Sequence, residues 1–215
     1  MRRRHLLQGL LALTLEHRLA SLNAARAEGN KPLAPGLRKL SGTVLVNGKP
    51  AWEGMAIRPG DVVSTGPNSE AIYVIYQDAY LQRDQSTVTI VGDSVRAGLR
   101  ILSGKLLSVF AKGTRRIETA TATIGIRGTG CYIESAADRV YFCLCYGTAE
   151  VSPNGDPQRV ETITTRHHDH PVYIGRDGRQ MMVAAGVINH SDAELVLLES
   201  LVGRTPPFQG KDWKY

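Results

Sequence analysis

The chain reads as an all-β protein: a sandwich or roll of short strands with an N-terminal signal segment and one short C-terminal helix. Three observations carry this reading. From Ser41 onward, β-prone runs recur at short intervals, broken by Gly, Pro and Asn. Asn47-Gly48 closes the run Thr43 to Val46 with the dipeptide that most strongly signals a hairpin. The segment from Ser191 is the one stretch that combines a helix cap with a 3.6-residue apolar period.

Residues 1–27 read as an export signal. A basic start, Met1 to Arg4, precedes an apolar run from Leu6 to Leu15 that is too short to span a bilayer. Ala25-Arg26-Ala27 then supplies a small-x-small cleavage site. Arg3-Arg4-His5-Leu6-Leu7-Gln8 also has the order of a twin-arginine export signal, so a periplasmic location is expected. An amphipathic N-terminal helix that stays on the protein is the alternative. Residues 28–40 are polar, carry Pro32 and Pro35, lack periodicity and read as a linker. Residues 41–152 hold the strand candidates Thr43–Val46, Val62–Thr65, Ala71–Tyr76, Thr87–Val91, Leu99–Leu102, Lys105–Ala111, Ile117–Ile126, Thr129–Glu134 and Val140–Val151. Residues 153–215 form an extension rich in potential metal ligands, with a helix expected over 192–202. There Ser191-Asp192-Ala193-Glu194 is a capping box, Leu195, Leu198, Leu201 and Val202 share one face, and Gly203 stops the helix.

Charge excludes one class of function. Of the net +6, residues 1–27 contribute +4 through five Arg against Glu16, which leaves +2 on the remainder. Aromatic content is 6%, and basic and aromatic residues do not interleave. A nucleic-acid partner is therefore not expected. Nor is an integral membrane protein.

The stretch from residue 42 to about 151 resembles the FecR domain, the exported β domain of iron-dicitrate regulator-like proteins. The resemblance rests on Gly42-Thr43-Val44-Leu45-Val46-Asn47-Gly48, Gly54, Arg58-Pro59-Gly60-Asp61-Val62-Val63-Ser64-Thr65-Gly66 and Ser69-Glu70-Ala71. Gly104, Thr119 and Gly125-Ile126-Arg127-Gly128-Thr129 complete it. Ala79 and Ala120 replace a Gly and a Pro usual in the family, and Cys131 replaces an aromatic. The resemblance implies a β domain that binds a protein or cell-envelope partner. The physics of the matched residues is structural: Gly60-Asp61 and Thr65-Gly66 suit turns with positive φ and side-chain capping. Arg127-Gly128-Thr129 suits a guanidinium over a close backbone approach.

The candidate chemistry lies mostly beyond that resemblance. Outside residues 1–27, every Cys and His falls between Cys131 and His190. Cys143-Leu144-Cys145 spaces two thiols about 6.6 Å apart on one face of a strand. That spacing suits a shared metal better than a disulfide, which parallel Cβ vectors would strain. Thiolates and imidazoles are the ligands of zinc and other transition metals. The candidate ligands are Cys143, Cys145, His167, His168, His170 and His190, with Asp169 a candidate to orient an imidazole. If His167 to His170 is extended, His168 and His170 share one face. Cys131 joins the set only if the register of the hairpin through Ala136-Ala137 brings it to the thiol face. Buried thiols beside a solvated histidine loop is the competing reading. A thiol nucleophile is a third, but no catalytic signature flanks either cysteine. The function expected is an exported binding or scaffold domain carrying a Cys/His metal site, with a metal-free interaction module as the alternative.

Overall fold

The computed structural model describes residues 32–92, 98–176 and 182–211. The expected export signal, residues 1–27, lies outside them. Residues from Pro32 on cluster as one compact unit, so the extension shares a body with the strands that precede it.

That body is all-β with one helix among the described residues, as the sequence predicts. Its strands are β1 (Gly36–Ser41), β2 (Val44–Val46), β3 (Lys49–Pro50), β4 (Val62–Thr65), β5 (Glu70–Ile75), β6 (Asp78–Gln82) and β7 (Ser86–Val91). They continue with β8 (Gly98–Val109), β9 (Thr114–Glu118), β10 (Ala122–Ser135), β11 (Arg139–Pro153), β12 (Glu161–Thr165), β13 (Val172–Gly175) and β14 (Met182–Ala184). The helix is α1 (Asp192–Leu201).

Two expectations about boundaries change. The segment read as a linker to residue 40 contains β1, which pairs antiparallel with β5 through Leu37↔Tyr73 and Leu40↔Ala71. Leu37 is fully buried, and that apolar anchor outweighs the flanking prolines. The run read as one strand over Ile117–Ile126 is two, because Thr119 turns the chain and its amide and hydroxyl both donate to the Ala122 carbonyl. Three strands exceed the expected length: β8, β10 and β11 run 12, 14 and 15 residues.

All strands join one hydrogen-bonded sheet, ordered β14-β13-β11-β10-β9-β8-β7-β4-β2-β3, with β5 and β6 joined at β8, β1 at β5, and β12 at β11. Neighbours are antiparallel apart from β8 and β9. Asn47 and Gly48 both take positive φ, 53° and 74°, which gives the expected two-residue turn between β2 and β3. Asp61 caps the next turn, accepting the Arg58 amide and the Asn47 side chain. Gly128 supplies the close approach read from Arg127-Gly128-Thr129: at φ 60° its Cα is where a Cβ would meet the backbone of Lys112 at 3.2 Å. Arg127 itself is exposed and lies 3.6 Å from Glu150.

The sheet buries apolar side chains on both faces. One cluster joins Leu106, Ile124, Ile133, Phe142 and Leu144; the other joins Ile72, Leu81, Leu107, Tyr132 and Tyr141 with Leu195 and Leu198 of α1. Residues 140–146 of β11 are therefore buried without a break, since successive residues feed opposite cores. Among the described residues no helix is long and apolar enough to cross a membrane.

Candidate metal centre

β11 positions the thiols. Phe142 and Leu144 enter one core while Cys143 and Cys145 enter the other, beneath α1. Register settles Cys131: it pairs with Leu144, and Tyr132 pairs with Cys143. Cys131 consequently belongs to the core on the far side of the sheet. All three thiols are free and buried.

The chain brings imidazoles to the thiol face by two turns. After β12, the segment from Arg166 to His170 is not extended: His168 adopts φ 52° and its amide donates to the Cys145 carbonyl at 2.9 Å. That bond draws the turn onto β11 directly over the thiols. Asp169, expected to orient an imidazole, instead accepts the Arg166 amide at 2.8 Å and closes the turn. The second turn precedes α1. Its Asn189 takes φ 52°, and its His190 ring stacks on Tyr132 with centroids 4.7 Å apart.

As a result one ligand atom each from Cys143, Cys145, His168 and His190 lies within 4.8 Å of the other three. Cys143 Sγ is 3.4 Å from His168 Nδ1, and His190 Nε2 is 3.1 Å from the same nitrogen. Around a tetrahedral zinc with bonds of ~2.0 Å to nitrogen and ~2.3 Å to sulfur, the edges come to roughly 3.3 Å for N–N and 3.5 Å for S–N. The His168–His190 and Cys143–His168 edges thus have the dimensions of a coordination shell.

The outer ring nitrogens are held by acceptors. His190 Nδ1 lies 2.6 Å from the Ile188 carbonyl, which can only accept, so Nδ1 carries the proton. His168 Nε2 lies 3.2 Å from Asp192 Oδ1, which places the proton of that ring outward as well. When both rings are neutral, the inward nitrogens present lone pairs to each other, with Cys143 Sγ beside them. His167 points elsewhere: its Nε2 lies 2.9 and 3.0 Å from the two Asp192 oxygens, and its ring packs on Phe208. With His168 and Asp192 it forms a second group close enough to hold an ion. His170 is exposed and outside both groups.

Charge follows the same geometry. The Cys143 thiol is drawn well below the usual range, first by the hydrogen bond from Cys145 and then, against burial, by His168 and His190. Burial, then the neighbouring Cys143, pushes Cys145 up. Burial opposes charging His168, but Cys143 and Asp192 outweigh it and raise the imidazole. The line Cys143–His168–Asp192 also has the order of an activated thiol nucleophile. Cys143 is fully buried, so this order suits an enclosed ligand rather than attack on a substrate.

Sequence reasoning missed Asp192. It reads as the first residue of a helix, and nothing local tells that its carboxylate reaches two histidines 24 and 25 positions away.

Comparison with known proteins adds little. No family model and no curated protein matches the chain. Among solved structures, crystal structures at 1.65 and 2.50 Å of a protein provisionally assigned as an anti-sigma factor from Parabacteroides distasonis ATCC 8503 align at 8% identity and a TM-score of 0.49. The alignment covers 58% of this chain and 59% of that one.

Proposed function

We propose that the protein is an exported binding or scaffold module whose C-terminal part carries a Cys2His2 metal centre, with zinc the fitting ion. One observation carries the reading. His168 Nδ1 and His190 Nε2 face each other at 3.1 Å while both outer nitrogens sit on acceptors. Two lone pairs at that distance repel unless a cation or a proton lies between them. Two thiols closing the same space make a metal ion the better occupant, since a paired set of thiolates and imidazoles is a tetrahedral zinc set.

Four protein ligands leave no open position, which supports a structural rather than a catalytic ion. A binding role is supported by the resemblance of residues 42–151 to the FecR domain. Export to the periplasm is supported by Arg3-Arg4, the apolar run after them and Ala25-Arg26-Ala27. The partner on this reading is a protein or a component of the cell envelope.

The test is elemental analysis of protein purified after native export. One equivalent of zinc or another transition metal per chain is expected. Metal-free protein that also fails to take up Zn²⁺ would leave the plain interaction module.

A further inference from the structure

Asp192 belongs to two structures at once. It is the first residue of α1, where the exposed amides of the helix end favour a carboxylate. Its oxygens also accept from His168, a ligand in the proposed centre, and from His167. Ser191 caps the same turn through a complete capping box with Glu194. Behind it, Leu195 and Leu198 are fully buried in the core that also holds Cys143 and Cys145. A helix seated by its leucines therefore fixes the carboxylate that orients a ligand.

The turns that bring the histidines are the costly part of the arrangement. Each contains a non-glycine residue in the left-handed region, His168 and Asn189. Asn adopts that conformation readily, whereas His168 is held there by its surroundings.

Resting on the metal reading above, we infer that Asp192 is a positioning residue that couples the ion to the docking of α1. The ion orders residues 166–170 and 186–191 and secures the first turn of the helix. Docking of the helix in turn raises affinity for the ion, because such coupling is reciprocal. His167 then acts as a holder of the Asp192 carboxylate and not as a ligand.

The experiment uses the full chain with Zn²⁺ alone as the probe and Co²⁺ for spectroscopy. Zn²⁺ should slow amide exchange at least tenfold over residues 166–170 and 186–196, with β2 to β4 unchanged. Asp192→Ala should weaken Zn²⁺ binding roughly 10- to 100-fold and shift the Co²⁺ ligand-field bands, with Asp192→Asn intermediate because its amide oxygen still accepts. Leu198→Ala, which removes none of the four ligands, should weaken binding in the same direction. If that variant does not fold, Asp192→Ala decides, since its side chain is 38% exposed and not part of the core. Stoichiometric Zn²⁺ with unchanged exchange, or with wild-type affinity in Asp192→Ala, overturns the coupling and leaves the metal centre standing. Failure of the wild-type protein to bind Zn²⁺ overturns the metal reading and the coupling together.

Discussion

Three buried cysteines sit within 15 residues of one another, and the sheet sorts them onto two faces, which provides an internal control for the metal reading. Replacing Cys143 or Cys145 with Ser removes one of four ligands. Structural zinc sites bind with apparent free energies of about 10–16 kcal/mol, hence roughly 2.5–4 kcal/mol per ligand. Each single variant should therefore lose about a hundredfold to a thousandfold in Zn²⁺ affinity. Cys131→Ala perturbs an equally buried thiol but one paired with Leu144 on the far face. It should cost about 1 kcal/mol of stability and leave metal affinity where it was. The assay is competition for Zn²⁺ against a chromophoric chelator, with thiolate-to-Co²⁺ charge-transfer bands counting the sulfur ligands. Two sulfur ligands are expected in the wild type and one in each single variant. Unchanged affinity in Cys143→Ser or Cys145→Ser, or an equal loss in Cys131→Ala, would show that the facing of the thiols has no bearing on metal.

Three more expectations concern the Cys143 thiolate, Gly130 and the N-terminal arginines. The metal-free protein should show the ultraviolet absorbance of one thiolate at neutral pH, lost in Cys143→Ser; because that thiol is lowered on folding, its contribution to stability is present above the ordinary thiol value of 9.0 and fades as pH falls toward the folded value. A pH titration lacking this thiolate would refute the assignment. Gly130→Ala places a Cβ 2.5 Å from the Tyr146 ring, so the denaturation midpoint should fall by the equivalent of about 1–3 kcal/mol; an unchanged midpoint would mean the ring has room to move. Changing Arg3 and Arg4 to Lys should strand the precursor in the cytoplasm, and normal amounts of mature protein starting at Glu28 in the periplasm would point to another route.

The fold class was legible because strand signals are local. Asn47-Gly48 and the capping box at Ser191 each specify a turn or cap from adjacent residues, and both form as read. Strands such as β1 and β6 were hidden because their identity depends on what covers them. Leu37 is one apolar residue after two prolines until β5 lies beside it. The same division holds at the site. The common face of Cys143 and Cys145 follows from the period of a strand, whereas the face of Cys131 depends on a shift of pairing between Arg127 and Cys131. His168 and His170 do not share a face, because the chain turns at His168 instead of continuing extended.

The placement of the thiols explains why the C-terminal part is needed. One face of β11 presents Tyr141, Cys143 and Cys145 to the space that residues 186–208 fill. Tyr141 needs only backbone partners from that cover: its hydroxyl donates to the Gly186 carbonyl and accepts the Ile188 amide. Covering the thiols also encloses two imidazoles, His167 and His168, each under a tenth exposed. Buried polar rings cost free energy unless every nitrogen finds a partner. Carbonyl and carboxylate acceptors satisfy the outer nitrogens of His168 and His190, and the inner pair faces the Cys143 thiol, where a shared cation or proton can lie. On the proposed metal reading, an ion at that point would join β11, the His168 turn and the start of α1.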